Sequence, residues 1–208
     1  MMWRQAWILL PVLAIAALLG GCGPREGAIA EFRQAQLVAK APAAVCVNPA
    51  TPNCNFYTSC MEATCKCGYS STGGYALSYG KKYCDKFLAE AGFSAAGRKW
   101  RDATLRCLQE KMVAQLPTNP AQCDCPKLQQ AAYDTHVGCY TQPGASICDL
   151  PAADAVVIDK VVADSDKFDR QGLEALKAVA KKCYASNPTN QWKQAQAVVQ
   201  RRIDELWP

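Results

Sequence analysis

Histidine is almost absent from this sequence, because His136 is the only one among 208 residues. Any Ser-His-Asp or Cys-His mechanism would therefore have to use His136, with a partner within hydrogen-bonding reach. After the first 21 residues no run of 18 consecutive apolar residues follows, so we expect no membrane-spanning helix there. The sequence also lacks tandem repeats and long alternation of apolar and polar residues, which argues against repeat folds and large sheets.

The N-terminal segment predicts export. Residues 1–21 carry one charge, Arg4, followed by a short apolar run, and the segment ends in Leu-Gly-Gly before Cys22. This pattern resembles the bacterial lipobox, and it predicts a lipoprotein signal peptide over 1–21 with lipidation of Cys22. An ordinary secretory signal with an incidental Cys22 is the alternative. Gly23 stands where an inner-membrane retention signal would place Asp, so we expect a lipid anchor in the outer membrane.

The charge of the chain is mildly basic, with 23 Lys and Arg against 18 Asp and Glu. Removal of the signal leaves a net charge of +4, since Arg4 is the only charged residue in that segment. The basic pairs are scattered along the chain, and no aromatic stripe accompanies them. Nucleic-acid binding is therefore not expected.

Cysteine is abundant, with 13 in the chain, and twelve remain once Cys22 is lipidated. They are Cys46, Cys54, Cys60, Cys65, Cys67, Cys84, Cys107, Cys123, Cys125, Cys139, Cys148 and Cys183. An even number in an exported chain predicts six disulfides. The alternative is a zinc site built from the two C-x-C motifs, although C-x-C is not the usual chelating spacing.

The pattern of apolar residues predicts one all-α domain. Residues 22–44 are small and polar and indicate a tether, and residues 45–208 form the domain. Residues 46–83 should be loops and short helices clamped by disulfides. After them, apolar positions recur with a period of 3.6 in six stripes. The stripes begin near Cys84, Trp100, Leu128, Val157, Leu173 and Trp192. We therefore expect a single disulfide-rich helical bundle of five to six helices after a cysteine-clamped N-terminal region, with Ser94 as a helix cap.

The cysteine-rich core of the chain resembles the stanniocalcins, which are disulfide-rich helical glycoprotein hormones of animals. Cys84-Asp85-Lys86-Phe87-Leu88 is similar to the family's Cys-x-x-Phe-Leu. Thirteen residues separate Cys125 from Cys139, which a Tyr follows as in the family, and 34 separate Cys148 from Cys183. Further positions at the family's spacing are Phe93, Gly97, Trp100, Leu105, Cys107 and Leu108. The resemblance covers about residues 46–183 and rests on ten aligned cysteines.

The resemblance implies a set of disulfides. These pairs are Cys46 with Cys60, Cys54 with Cys84, Cys65 with Cys125, Cys107 with Cys139, and Cys148 with Cys183. A sixth pair, Cys67 with Cys123, is then geometrically reasonable. The family implies hormone-like or protease-inhibiting protein interactions. No Cys follows Cys183, where stanniocalcins have the one that links two chains, so a covalent dimer is not expected.

A second resemblance concerns His136. His136-Val137-Gly138-Cys139-Tyr140 is similar to the His-Asp-x-Cys-Tyr of secreted calcium-dependent phospholipases. Val137 stands where those enzymes place the calcium-binding Asp, and without that carboxylate a metal would not readily polarise an ester. A lipolytic enzyme using His136 is therefore an alternative. A His136 that only hydrogen-bonds near a helix end is the simpler interpretation.

The remaining polar residues show no convergent catalytic set. The acidic residues between Asp149 and Asp169 are better explained as helix caps and solvated positions than as a calcium site. Phe87, Phe93 and Trp100 lie at core spacing and indicate packing, whereas the stripe that begins at Trp192 could dock on this core or on a partner. We therefore assign no catalytic residue and expect no metal or cofactor. The favoured function is a membrane-anchored binding or inhibitory module with a protein partner, and a structural envelope lipoprotein is a further alternative.

Overall fold

The computed structural model describes residues 44–47, 49, 53–68, 74–162, 170–188, 190–206 and 208. The expected signal peptide, the lipidation site Cys22 and the tether lie outside the described residues, apart from Ala44. Within the described ranges, no helix combines the length and the apolar character that crossing a bilayer requires.

Helices dominate the described part of the chain, which contains seven α-helices. They are α1 (Ala44–Val47), α2 (Lys82–Ala89), α3 (Ala95–Val113), α4 (Cys125–Tyr140), α5 (Ala152–Val161), α6 (Arg170–Ser186) and α7 (Asn190–Leu206). The other elements are π-helices at Tyr57–Glu62 and Ala76–Lys81, 3₁₀ turns at Pro120–Gln122 and Ile147–Asp149, and an antiparallel hairpin of β1 (Thr141–Gln142) and β2 (Ala145–Ser146). The prediction of a disulfide-rich all-α fold is confirmed, and each of the six apolar stripes lies on a helix.

Local sequence explains where the helices that carry the site begin. The Ser94 side chain accepts a hydrogen bond from the Gly97 backbone N–H at the start of α3, as the sequence predicts. Asp124 caps α4 through the Lys127 backbone N–H. Pro126 occupies the first turn of α4. Backbone N–H groups there have no intrahelical acceptor, so a proline costs the helix no hydrogen bond. At the far end of α4, the hairpin turns at Gly144, whose φ of +76° suits a residue without a Cβ.

Disulfides clamp the N-terminal region onto the helices. Cys46 pairs with Cys60 and Cys54 pairs with Cys84, as the stanniocalcin resemblance implies. The sulfurs belong to one buried cluster with Phe56 and other apolar side chains of the π-helices, α3 and α4. A cluster so rich in disulfides compensates for the few periodic apolar residues in this region.

The predicted pairing of the two C-x-C motifs is wrong. The structure joins Cys65 to Cys123 and Cys67 to Cys125, whereas the predicted pairs were Cys65 with Cys125 and Cys67 with Cys123. The first cysteine of one motif pairs with the first of the other, and the second with the second. This is the pairing of two short segments that run in the same direction. The predicted pairing would need them to run in opposite directions.

The antiparallel helices α3 and α4 form the frame of the domain. The expected disulfide between Cys107 and Cys139 joins them. About one turn before Cys107, the Thr104 hydroxyl donates to the Cys139 carbonyl at 3.4 Å, and about two turns before it the Trp100 Nε1–H donates to the Tyr140 carbonyl at 3.1 Å. These contacts fix the C-terminal half of α4 against α3.

A buried carboxylate holds α5 against the start of α3. Asp154 is only 1% exposed, and its two oxygens accept hydrogen bonds from the Ser94 backbone N–H at 2.8 Å and the Ser94 hydroxyl at 2.6 Å. A second link joins the exposed Lys160 on α5 to Glu90. Asp154 is therefore a buried structural acceptor that holds the Ser94 cap, whereas the sequence had suggested a helix cap or a solvated position.

Gly97 should not tolerate a side chain, because its missing Cβ leaves room for Asp154. A Cβ there would lie 2.5 Å from Asp154 Oδ1 and 2.7 Å from the Phe93 ring. We expect Gly97→Ala to lower the free energy of unfolding by about 1–3 kcal/mol, although alanine is the better helix former. Gly138→Ala on α4 is the matched control, because its Cβ would meet nothing within 4 Å, and it should stabilise by about 0.5–1 kcal/mol. Chemical denaturation measures both, and stabilisation by both substitutions would contradict this account.

The last two helices are attached through the sixth disulfide. Cys148, in the 3₁₀ turn after the hairpin, pairs with Cys183 on α6 as expected. Their sulfurs and Val179 form a second buried cluster. The partly buried side chains packed on this cluster are Val137, Tyr140, Ile147 and Trp192. In turn, α7 packs along α6.

Candidate functional site

A cavity of about 410 Å³ lies between α4, α5, α6 and α7. Well-packed interiors rarely contain voids much larger than a water molecule, and ligand pockets commonly enclose about 300–1,000 Å³. Most of the lining is aliphatic or aromatic. The lining residues are Tyr79, Phe87, Trp100, Tyr133, His136, Tyr140, Ile147, Leu150, Ala155, Ile158, Asp159, Val162, Gly172, Ala175, Leu176, Val179, Ala180, Trp192, Ala195 and Val199. This set is typical of a site for an apolar ligand.

The cavity reaches solvent between α5 and α6. Three of its lining residues are exposed, namely Ala155 and Asp159 on α5 and Leu176 on α6. Asp159 is the one lining residue that carries a carboxylate, so the acidic charge lies at the mouth and not in the interior.

One wall of the cavity is the amphipathic helix α7. Trp192, Ala195 and Val199 face the cavity at the three- and four-residue spacing of one helix face, whereas Val198 on the other side is 61% exposed. The sequence analysis left open whether this stripe docks on the core or on a partner. In the structure it packs beside α6 and encloses the cavity.

A smaller recess of about 40 Å³ adjoins the cavity on the side of α2 and α3. Both spaces are lined by Phe87, Trp100, His136 and Tyr140, so the recess continues the same aromatic wall. The recess also has a cationic side chain in its lining, that of Arg101. Both linings are largely apolar, and Arg101 is the one cationic side chain among the residues that line the recess.

His136 lies in the wall that the two spaces share, inside a cage of tyrosine rings. Its side chain is 3% exposed, and the nearest ring centroids are those of Tyr140 at 5.3 Å and Tyr133 at 5.5 Å. Tyr79 in the second π-helix and Tyr75 just before it follow at 6.1 and 6.4 Å. We call these four tyrosines and His136 the tyrosine–histidine cluster.

The hydrogen bonding of His136 defines its tautomer. Nδ1 lies 3.2 Å from the Tyr133 carbonyl oxygen, which can only accept, so Nδ1 carries the proton. Within the described residues Nε2 makes no hydrogen bond. Nε2 is therefore left with a free lone pair beside the cavity.

Burial disfavours the charged forms of His136, Tyr75 and Tyr140 in the tyrosine–histidine cluster. Desolvation lowers the pKa of His136 to about 4, despite the opposing effect of the Tyr133 and Ala132 carbonyls. Desolvation likewise raises the pKa of Tyr75 and of Tyr140 well above the ordinary value near 10. At neutral pH the inner wall is therefore a neutral aromatic surface.

The twelve cysteines predicted to form disulfides are all paired. The twelve cysteines between residues 46 and 183 form six disulfides, of which four have the predicted partners. The alternative of a zinc site at the two C-x-C motifs is wrong, since all four sulfurs are bound to one another. Nor do the described residues contain another group of three metal-ligating side chains.

Val137 offers no calcium ligand at the position where the phospholipase alternative would need a carboxylate. This side chain packs against the cluster around the disulfide of Cys148 and Cys183, so an apolar residue suits its position. His136 makes no hydrogen bond to a carboxylate in the described part of the chain. The site thus has a neutral imidazole in an apolar wall, without the partner that orients a general base in known hydrolases.

The interpretation of Phe87, Phe93 and Trp100 as packing alone is incomplete. Phe87, Phe93 and Trp100 do pack together, with ring centroids 6.1–6.5 Å apart. Phe87 and Trp100 also line the cavity. Spacing along a helix identifies an inward face but does not tell whether that face meets side chains or a cavity.

Sequence reasoning missed the tyrosines around His136. One signal was present, since Tyr75, Tyr79 and Tyr83 recur every four residues in a segment otherwise rich in small residues. On α4, Tyr133 and Tyr140 lie three residues before and four after His136, on the same helix face. Their convergence depends on tertiary packing, which these spacings do not reveal.

Comparison with known proteins found no matching family model, no similar curated protein and no similar solved structure. Neither the stanniocalcin nor the phospholipase resemblance is tested by these comparisons, and both stay predictions from the residues that carry them.

Proposed function

We propose that this chain is an extracytoplasmic binding module that holds the aliphatic chain of a small amphiphile in the cavity between α4, α5, α6 and α7. The observation that carries the proposal is a cavity of about 410 Å³ with a largely apolar, uncharged interior. Each methylene moved from water into such a site contributes about 0.8 kcal/mol. An aliphatic chain is therefore the ligand that gains most from it.

The polar groups of the site support the same class of ligand. Burial disfavours ionisation of His136, Tyr75 and Tyr140, so the aromatic wall is uncharged at these residues at neutral pH. Asp159 lies at the mouth, where α5 meets solvent. A ligand that is charged along its whole length would lose its hydration without compensation, whereas an amphiphile buries only its apolar part.

The proposed setting is the bacterial envelope. Six disulfides support an oxidising, extracytoplasmic location, and the lipobox at Cys22 supports a lipid anchor there. An anchored module beside a bilayer would have amphiphiles at hand. A protein partner, as the stanniocalcin resemblance implies, stays part of the proposal, and it would use a surface separate from the cavity.

Filling the cavity should abolish ligand binding. Ala195 on α7 lines the cavity, so Ala195→Phe places a ring in the volume that the chain would occupy. With the full chain in detergent-free buffer, we expect titration calorimetry to show 1-dodecanol binding that Ala195→Phe weakens at least tenfold. Ala197→Phe, at an exposed position on the same helix, is the matched control and should bind as the unmodified protein does.

Two outcomes would count against the cavity as the binding site. One is the absence of any dodecanol binding to the unmodified protein. The other is equal binding by the Ala195 and Ala197 variants. Release of fatty acid from phospholipid vesicles, if lost in His136→Ala, would instead support the lipolytic alternative.

A further inference from the structure

A partly buried cation lines the recess beside the cavity. The Arg101 side chain is only 12% exposed and lines the recess. Burying a charge without full compensation is unfavourable, so a guanidinium here calls for an anion or for several hydrogen bonds. The charge of Arg101 therefore favours a ligand that carries an anionic group.

Protein groups satisfy Arg101 only in part. Nε donates to Asp102 Oδ1 at 2.8 Å, and Nη1 donates to the Phe87 carbonyl at 3.4 Å. A guanidinium has five N–H donors, so three remain without a partner among the described residues. The Asp102 side chain is 41% exposed, and water weakens its interaction with the guanidinium. Arg101 thus retains both positive charge and donors for a further acceptor.

The recess is adjacent to the apolar volume. Phe87, whose carbonyl accepts from Arg101, has its side chain in the lining of both the recess and the cavity. Trp100, the neighbour of Arg101 on α3, lines both spaces as well. A ligand lying along this shared aromatic wall could place its chain in the cavity and its head group at the guanidinium.

We infer that the ligand is a long-chain carboxylate whose head group pairs with Arg101 in the recess. This inference rests on the proposed function and specifies its substrate class. A planar carboxylate accepts two parallel N–H bonds from a guanidinium, which gives both charge compensation and geometry. The neutral tyrosine–histidine cluster between the two spaces would contact the first carbons of the chain.

Three ligands of equal chain length test the head group with the unmodified full chain. They are dodecanoate, 1-dodecanol and methyl dodecanoate, measured by titration calorimetry at pH 7.5. We expect dodecanoate to bind at least tenfold more tightly than the alcohol or the ester, a difference of about 1.4 kcal/mol. This comparison requires no variant, so a folding defect would not affect it.

Variants of Arg101 then locate the source of the preference. Arg101→Gln should abolish the advantage of dodecanoate over dodecanol, and Arg101→Lys should keep part of it. Arg106→Gln is the matched control, since Arg106 is an exposed arginine on the same helix that also pairs with a carboxylate. It should leave the advantage unchanged.

The outcomes separate the two levels of the proposal. Equal affinity for all three ligands in the unmodified protein, or a dodecanoate preference that survives in Arg101→Gln, would overturn the carboxylate inference and leave the apolar cavity as a binding site. Binding of none of the three would overturn the proposed function itself.

Discussion

Replacing Cys148 and Cys183 together by alanine should destabilise the protein by about 4 kcal/mol. The disulfide closes a loop with a sequence separation of 35, and the loss of loop-closure entropy predicts that magnitude. Both cysteines are buried beside Val179, so their removal also leaves a void in the cluster that holds α6. Thermal and chemical denaturation of the oxidised protein measure the loss.

The same double variant should lose the ligand, because this disulfide fixes a wall of the cavity. Val179 on α6 and Trp192 on α7 both line the cavity and both pack against the disulfide cluster. We expect 1-dodecanol binding to weaken at least tenfold at temperatures where the variant is still folded, as shown by circular dichroism.

A second disulfide provides the control for this prediction. The pair Cys46 and Cys60 has a sequence separation of 14 and contributes no residue to the cavity lining. Its double alanine variant should be destabilised by about 3 kcal/mol and should bind dodecanol normally while folded. Normal binding by the folded variant that lacks the Cys148 and Cys183 pair would contradict the role of this disulfide in the site.

Acid should destabilise the protein through His136. In the unfolded chain its imidazole takes up a proton near pH 6.5, whereas burial lowers its pKa to about 4 in the folded state. Above pH 6.5 both states are neutral at this residue, and its titration does not affect stability. As the pH falls from 6.5 to 4, protonation stabilises only the unfolded chain. The free energy of unfolding should therefore fall by about 3 kcal/mol over this window.

His136→Gln should remove this pH dependence, because glutamine is polar but does not titrate. The measurement is the free energy of unfolding from denaturant titrations at pH 7, 6, 5 and 4 for both proteins. The comparison is between slopes, so a constant loss of stability in the variant does not affect it. Carboxylates that titrate in the same range contribute equally to both proteins. Equal slopes would show that His136 is accessible to protons in the folded state.

Much of the helical architecture could be predicted from the sequence, because it is encoded locally. An apolar period of 3.6 is a property of each segment, and it identified the helices from α2 to α7. The Ser94 cap was predictable for the same reason, since its partner Gly97 is only three residues away. The π-helices at residues 57–62 and 76–81 fall in a segment predicted only as loops and short helices, because it has few periodic apolar residues.

The disulfide pairing at the two C-x-C motifs lay beyond sequence reasoning. Cys65 and Cys67 are two residues apart, as are Cys123 and Cys125, so either pairing satisfies the spacing. The relative direction of the two segments decides between them, and that direction depends on tertiary packing and not on the spacing of the cysteines. The disulfide pairing implied by the stanniocalcin resemblance did not supply the direction of the two segments.

The candidate site was the least predictable part, because it is a space between elements. His136 is on α4, Arg101 on α3 and Ala195 on α7, and no local pattern relates these three positions. The sequence around His136 shows no catalytic partner, and it does not reveal the rings that surround His136 in the fold. The structure shows that the neighbours are rings and a cavity, and these features favour binding over proton transfer.

The most direct test is to identify what the protein carries when it is purified from its own membranes. Organic solvent would release non-covalently bound compounds, which mass spectrometry then identifies, while acyl chains attached to Cys22 stay on the protein. We expect a long-chain carboxylate in near-equimolar amount with the unmodified protein and with Ala197→Phe, but not with Ala195→Phe. The absence of any aliphatic compound from the unmodified protein, or an equal amount in Ala195→Phe, would contradict the cavity as a ligand site.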